Sequence, residues 1–171
     1  LAAPRQSKFF INERILVREI TSDKLYCSFT SEEFYNTPSL INIINEKGVL
    51  SLKYALPILN SKLIGWYHNK TSPKANKGLF PKILVNDVRK LPIKNISLEA
   101  QQPFIEIADK MLNLNKDLQE ASAKFQRTIQ RKFELEELSK KLQEWHTLSF
   151  NEFVKELGKQ KVKLSLMQES E

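Results

Sequence analysis

The chain has 171 residues, 41% hydrophobic and 27% charged, with 27 Lys plus Arg against 20 Asp plus Glu and a pI near 9.4. That balance suits one globular core, or a core with a helical appendage, and excludes collagen-like and disordered chains. The single cysteine, Cys27, cannot form an internal disulfide, and two separated histidines cannot build a soft-ligand zinc site, so a reducing compartment, the cytoplasm, is the expected home.

The basic excess is confined to one part of the chain. Residues 1 to 94 carry 15 Lys/Arg against 7 Asp/Glu, whereas residues 95 to 171 carry 12 against 13. An excess held by one half reads as an electrostatic footprint for a polyanion, with a solvated lysine face as the plainer reading. The chain opens Leu1-Ala2-Ala3-Pro4-Arg5, with no initiator Met and no basic-then-apolar leader, and is expected to be a piece of a longer protein. Its longest apolar-rich stretch, Leu50 to Tyr67, is interrupted by Lys53, Asn60, Ser61 and Lys62, so no membrane span is expected.

The first half reads as mixed α and β. Arg14 to Ile20 has strand-like β-branched content, Leu25 to Phe29 follows after the turn-forming Ser22-Asp23, and the two form a hairpin. Ser39 to Asn45 is a third strand-length run. Ser51 then caps a helix with Leu52, Ala55, Leu56 and Leu59 on one face, and a second helical set follows Ser61. Pro57 removes a backbone donor and should kink that helix or keep it short. Trp66 and Tyr67 read as buried aromatic packing, with stacking on an unstacked base as the other use.

Asn69 to Gly78 is a polar, lysine-rich loop; Phe80 to Val85 reads as another strand, and Lys90-Leu91-Pro92-Ile93 as an extended exit. From Ser97 the pattern turns helical. Phe104, Ile107, Ala108, Met111, Leu114, Leu118, Ala121 and Phe125 recur at three- and four-residue spacing, and Phe104, Met111, Leu118 and Phe125 are expected to form a packing seam. A helix continuous to Trp145 would be about 70 Å long and should pack against another long helix rather than into the first-half core. Lys132 falls where the next apolar residue belongs, so a bend or register shift is expected there. A further amphipathic segment runs from Phe150 to Gly158, and Ser165 with Gln168 opens a capping-box pattern.

The expected fold class is therefore α+β, a mixed α/β head over residues 1–96, a long-helix, coiled-coil-like spacer over 97–148 and a C-terminal helical segment over 149–171. No catalytic constellation is legible. The four glycines are isolated from one another, His68 and His146 have no ligand-spaced neighbours, and Cys27 reads as a small buried apolar residue.

Several segments in order carry a resemblance. Lys8-Phe9 leading into Arg14 to Ile20, Ser51-Leu52-Lys53-Tyr54, Leu59-Asn60-Ser61-Lys62-Leu63-Ile64, Lys90-Leu91-Pro92-Ile93 and Gln101-Gln102-Pro103-Phe104 resemble the TaqI-like C-terminal specificity domain. This is the target recognition domain of N6-adenine DNA methyltransferases and fused type IIG restriction-modification enzymes, and is similar to the half-repeats of type I specificity subunits. The resemblance implies sequence-specific binding of double-stranded DNA by an α/β head, with long helices setting spacing. It also implies covalently attached upstream methyltransferase or endonuclease domains, which would hold S-adenosylmethionine and Mg; the family's Asn-Pro-Pro-Tyr and glycine motifs are not found here.

The candidate DNA surface is the loop Lys70 to Lys82. Lys70, Lys74, Lys77 and Lys82 would pair with phosphates, and Asn69, Thr71 and Asn76 carry groups for base edges. Arg14 and Arg18 flank a strand, and one of them would face DNA with Lys8 and Arg5. The alternative reading is a helical protein-interaction module with an incidental basic head.

Overall fold

A computed structural model describes residues 6–46, 48, 50–72, 74–75, 81–162 and 164. Arg5, Asn76, Lys77, Phe80 and the Ser165–Gln168 pattern lie outside the described residues. Two compact units divide the chain at Met111 and Leu112. The architecture is α+β.

The first unit opens with a single helical turn, α1 (Lys8–Ile11), and a three-stranded antiparallel sheet of order β2-β1-β3. β1 (Arg14–Arg18) is central, pairing Val17 with Cys27 of β2 (Cys27–Thr30) and Val17 with Ile41 of β3 (Leu40–Ile43). Arg14, Ile15, Leu16 and Val17 are all buried, which explains why this strand reads as a continuous apolar run rather than an alternating one.

Ser51 caps α2 (Leu52–Leu59), its hydroxyl accepting from the Lys53 N–H, and Ser61 caps α3 (Lys62–Thr71) by accepting from the Ile64 N–H. Pro57 lies inside α2, which stops two residues later; the predicted restriction to short segments is what the chain adopts. Tyr54, Ala55, Leu56 and Leu59 of α2 join Ile15, Val17, Leu25, Ile64 and Ile83 in the core.

α3 runs against the turn between β1 and β2 at backbone contact. A Cβ on Gly65 would collide with the Asp23 carbonyl oxygen and come within 2.7 Å of the Lys24 Cα. Only hydrogen fits there.

Four expectations are corrected. Asn69, Lys70 and Thr71 belong to α3 rather than to a loop: the helical ladder runs through them until the Ser72 N–H reaches the His68 carbonyl at 2.9 Å, and the Thr71 hydroxyl bonds back to the Tyr67 carbonyl at 2.8 Å. The stretch after Phe80 is not a strand of the sheet. It makes one bridge, Ile20 with Lys82, held by Thr21 N–H to Pro81 O and Ile83 N–H to Glu19 O, both 2.9 Å, and then enters α4 (Val85–Arg89). Asp87 starts that helix by accepting from the Leu84 N–H at 3.0 Å and from the Ser72 hydroxyl at 3.1 Å.

α5 (Leu98–Lys132) is the long helix, and its length is the third correction: it stops at Lys132 instead of reaching Trp145. Its first turns pack on the head, contrary to the expectation of a helix held away from it. Fully buried Gln101 accepts from the Ser51 N–H at 2.8 Å and donates to the Ile96 carbonyl at 3.0 Å. Phe104 stands edge-on to Tyr54, ring centres 5.3 Å apart, and Lys53 pairs with Asp109 at 2.7 Å.

The second unit folds around the C-terminal part of α5. After Lys132 the chain reverses through Glu134, whose φ of +52° is left-handed, while the Leu135 N–H reaches the Gln130 carbonyl at 2.9 Å. This is a Schellman closure with glutamate in the position glycine prefers. α6 (Lys140–Gln143), a 3-10 turn (Trp145–Thr147) and α7 (Phe150–Lys159) complete the unit. Ile129, Leu138, Leu142 and Leu157 form its core, and Phe125 stacks with Trp145 at 4.3 Å and meets Phe153 at 6.0 Å.

Candidate nucleic-acid interface

The sequence-predicted cations separate into three groups. Arg14 is spent inside the fold: it is fully buried, donates to the carbonyls of Asn12, Glu32 and Phe34 at 3.0, 2.8 and 3.1 Å, and lies over the Phe34 ring. Its five donors suit a junction where three carbonyls converge. Lys8 and Lys82 reach the surface but are paired, Lys8 with Glu46 at 2.5 Å and Lys82 with Glu19 at 3.3 Å. Arg18, Lys70 and Lys74 are exposed and have no ion pair among the described residues.

Lysines outside the predicted loop add to this third group. Lys24, in the β1–β2 turn, and Lys62, the first residue of α3, are both exposed. Arg18 and Lys24 sit beside the Tyr26 ring, 5.6 and 5.5 Å from its centre, and the Tyr26 hydroxyl lies 3.0 Å from the Ser22 hydroxyl. The Ser22 hydroxyl bond holds the Asp23 carboxyl below its usual range, helped by the charges of Lys24 and Lys62. The turn and the start of α3 are thus one electrostatic neighbourhood. Asn69, in the last turn of α3, donates to the Ser22 carbonyl at 3.3 Å and fastens the helix to the β1–β2 turn.

α3 divides sharply by face. Ile64, Gly65 and His68 are buried, while Lys62, Leu63, Trp66 and Lys70, spaced by three and four residues, are exposed. Leu63 is 70% and Trp66 58% exposed. Trp66 therefore overturns the expectation of buried packing: Gly65 and His68, not Trp66, meet the body of the unit. The signal was available in the helical period from Ile64 to His68, which puts Trp66 on the opposite side.

The resulting surface combines four cations, Arg18, Lys24, Lys62 and Lys70, with two flat or apolar groups, Tyr26 and Trp66, on a hairpin turn locked to a helix. Phosphate pairing and ring stacking are both within its chemistry. Cys27, at the edge of the same hairpin, offers no nucleophile, since burial pushes its thiol up to about 12. Among the described residues no group of three or more His, Cys, Asp or Glu is placed to hold a metal.

A model of the TaqI-like C-terminal specificity domain matches residues 1–93, more than half of the chain. The chain belongs to that family. Membership gives the TaqI-like head a DNA-recognition role in a restriction-modification enzyme. A second model, described as a domain of unknown function (DUF8810), matches residues 97–171. Comparison with curated proteins and with solved structures finds no match. Among the described residues no helix is long and apolar enough to cross a membrane.

Proposed function

We propose that the chain is the target recognition part of an N6-adenine DNA methyltransferase or a fused type IIG endonuclease-methyltransferase, and that it reads double-stranded DNA with the exposed face of α3 and the β1–β2 turn. The observation that carries the reading is the concentration of Lys62, Trp66 and Lys70 on one exposed helix face, with Arg18 and Lys24 on the turn that Gly65 and Asn69 lock to it. The lysines and Arg18 supply salt-dependent attraction to phosphates, and side chains entering a groove supply discrimination. Lys74, with Asn76 and Lys77 from the sequence reading, extends the cationic segment past the end of α3. Lys8 and Lys82, held by Glu46 and Glu19, contribute when DNA displaces those carboxylates, and Arg14 contributes by holding β1. Methyl transfer from S-adenosylmethionine and any Mg-dependent cleavage belong to attached upstream domains, and the working compartment is the cytoplasm.

The test is selection from a pool of random-sequence duplexes at two salt concentrations, followed by sequencing of the bound fraction. Enrichment of one short motif that survives the higher salt is the expected result. Replacing Lys62 and Lys70 together by Ala should weaken binding to all sequences and reduce the slope of log K against log salt by about 2, roughly one counterion per lysine. Retention without enrichment, or a slope unchanged in the double variant, removes this face as the reader.

A further inference from the structure

Among the described residues, the amides and hydroxyls beside the exposed face of α3 are already engaged. Asn69 donates to the Ser22 carbonyl, and the Thr71 hydroxyl donates to the Tyr67 carbonyl. On the adjoining turn the Ser22 hydroxyl donates to the Asp23 carboxylate at 2.7 Å and lies 3.0 Å from the Tyr26 hydroxyl. His68 is buried against the body of the unit. The groups that sequence alone would assign to base edges on this helix therefore serve the fold.

What remains at the centre of the face is apolar. Leu63 is more exposed than any other large apolar side chain among the described residues, and Trp66 follows it three positions later on the same face. Lys62 and Lys70 stand four residues before and four residues after Trp66, about one helical turn to either side. Neither lysine has an ion pair among the described residues. Phosphate attraction at both ends holds the apolar pair against whatever lies between the phosphates.

An α-helix enters the major groove of a duplex, and the minor groove is too narrow for one. The base edges there are rows of hydrogen-bond donors and acceptors with one apolar exception, the C5-methyl group of thymine. We propose that Leu63 and Trp66 read thymine methyl groups in the major groove, so that the target is a duplex site with thymine at the positions under α3. The inference deepens the DNA reading of this face and rests on it. Burying one methyl group is worth about fourfold in affinity. A cytosine in the same place sets its amino group against an apolar side chain and loses water without gaining an acceptor.

The test uses the whole chain and two pools of random-sequence duplexes, one with thymine and one with deoxyuridine in place of every thymine, which differ in methyl groups alone. The expected result is a thymine-containing motif from the first pool, bound about fourfold less tightly for each contacted thymine replaced by deoxyuridine. Leu63→Ala and Trp66→Ala, both at exposed positions, should keep the circular dichroism and urea midpoint of the parent and bring that ratio towards one. Lys62→Ala should weaken binding to both duplexes and leave the ratio unchanged. An enriched motif bound equally with thymine and deoxyuridine overturns the methyl reading and leaves the DNA reading standing; if Leu63→Ala still weakens binding, the pair is a wedge between base steps instead. A ratio that persists in both apolar variants overturns the assignment to Leu63 and Trp66. No enriched motif from either pool overturns the DNA reading itself, and this inference falls with it.

Discussion

Asn60 completes the edge of the sheet by treating Cys27 as a neighbouring strand would. Its side-chain carbonyl accepts from the Cys27 N–H at 2.9 Å and its amide donates to the Cys27 carbonyl at 3.0 Å, with a further bond to the Leu56 carbonyl at 3.2 Å. Both main-chain groups of Cys27 on the β2 edge are thereby satisfied by the residue that ends α2. Asn60→Asp keeps the acceptor and loses both donors; Asn60→Ala loses all three bonds. Urea unfolding should show Asn60→Ala less stable by about 2–3 kcal/mol and Asn60→Asp intermediate between it and the parent. Equal midpoints for Asn60→Ala and the parent would mean that water replaces the amide without loss.

Arg14 and Arg18 bound the same strand and should respond oppositely to truncation. Arg14→Ala empties a fully buried site and strips three part-buried carbonyls of their donor, and is expected to cost more than about 3 kcal/mol of stability. Arg18→Ala, at an exposed position beside Tyr26, should leave the unfolding midpoint within about 0.5 kcal/mol while weakening duplex binding. Unfolding curves and binding isotherms on both variants check the pair. A stable Arg14→Ala protein with reduced DNA affinity would place that guanidinium in the interface instead.

His68 gives the head a pH dependence. Burial holds its imidazole below the ordinary value of 6.5, against the opposing influence of the Asp87 carboxylate and a hydrogen bond with the Lys82 backbone. The unfolded chain accepts a proton at a pH where the folded His68 resists it, so this contribution to stability is complete above about pH 6.5 and is lost as pH falls below it. Urea midpoints should therefore decline between about pH 7 and about pH 5, above the range where carboxylates titrate. In His68→Asn the decline should flatten, whatever that substitution does to stability at neutral pH. A slope identical in the parent and the variant would assign the pH dependence elsewhere.

Glu134 sits at a left-handed backbone position with φ +52°, which costs an L-residue about 1 kcal/mol relative to glycine. Glu134→Gly should raise the thermal midpoint of the chain. Glu134→Val, β-branched, should lower it by more than the glycine raises it. A destabilised glycine variant would show that the closure tolerates its glutamate without strain.

The local punctuation of the head is legible in the amino-acid order. Ser51 and Ser61 announce two helices, the β-branched run from Arg14 announces the central strand, and Ser22-Asp23 announces the turn beside it. Long-range bonds are not written locally. Nothing in the run after Phe80 distinguishes a ladder strand from a segment tethered at Thr21 and Ile83, since both ask for the same apolar residues. The end of α5 is hidden for a related reason: with no Gly or Pro between Pro103 and Gly158, helix termination rests on Glu134 adopting a conformation that glutamate disfavours, stabilised by packing of Phe133 and Leu135 on the second core. The candidate interface was half legible. Charge located it in the first half of the chain, but the division between Arg14, which serves the fold, and Lys24 and Lys62, which reach the surface, depends on contacts between residues distant in sequence.

Gly65 constrains how this reader can acquire new targets. With no room for even a methyl group between α3 and the Asp23–Lys24 backbone, any insertion that shifts the backbone of that turn must lift the helix that carries Trp66 and Lys70. Changes of preference should therefore arise by exchanging side chains on an unchanged backbone rather than by lengthening the hairpin. Grafting another relative's turn onto this head would succeed only if α3 were carried across with it.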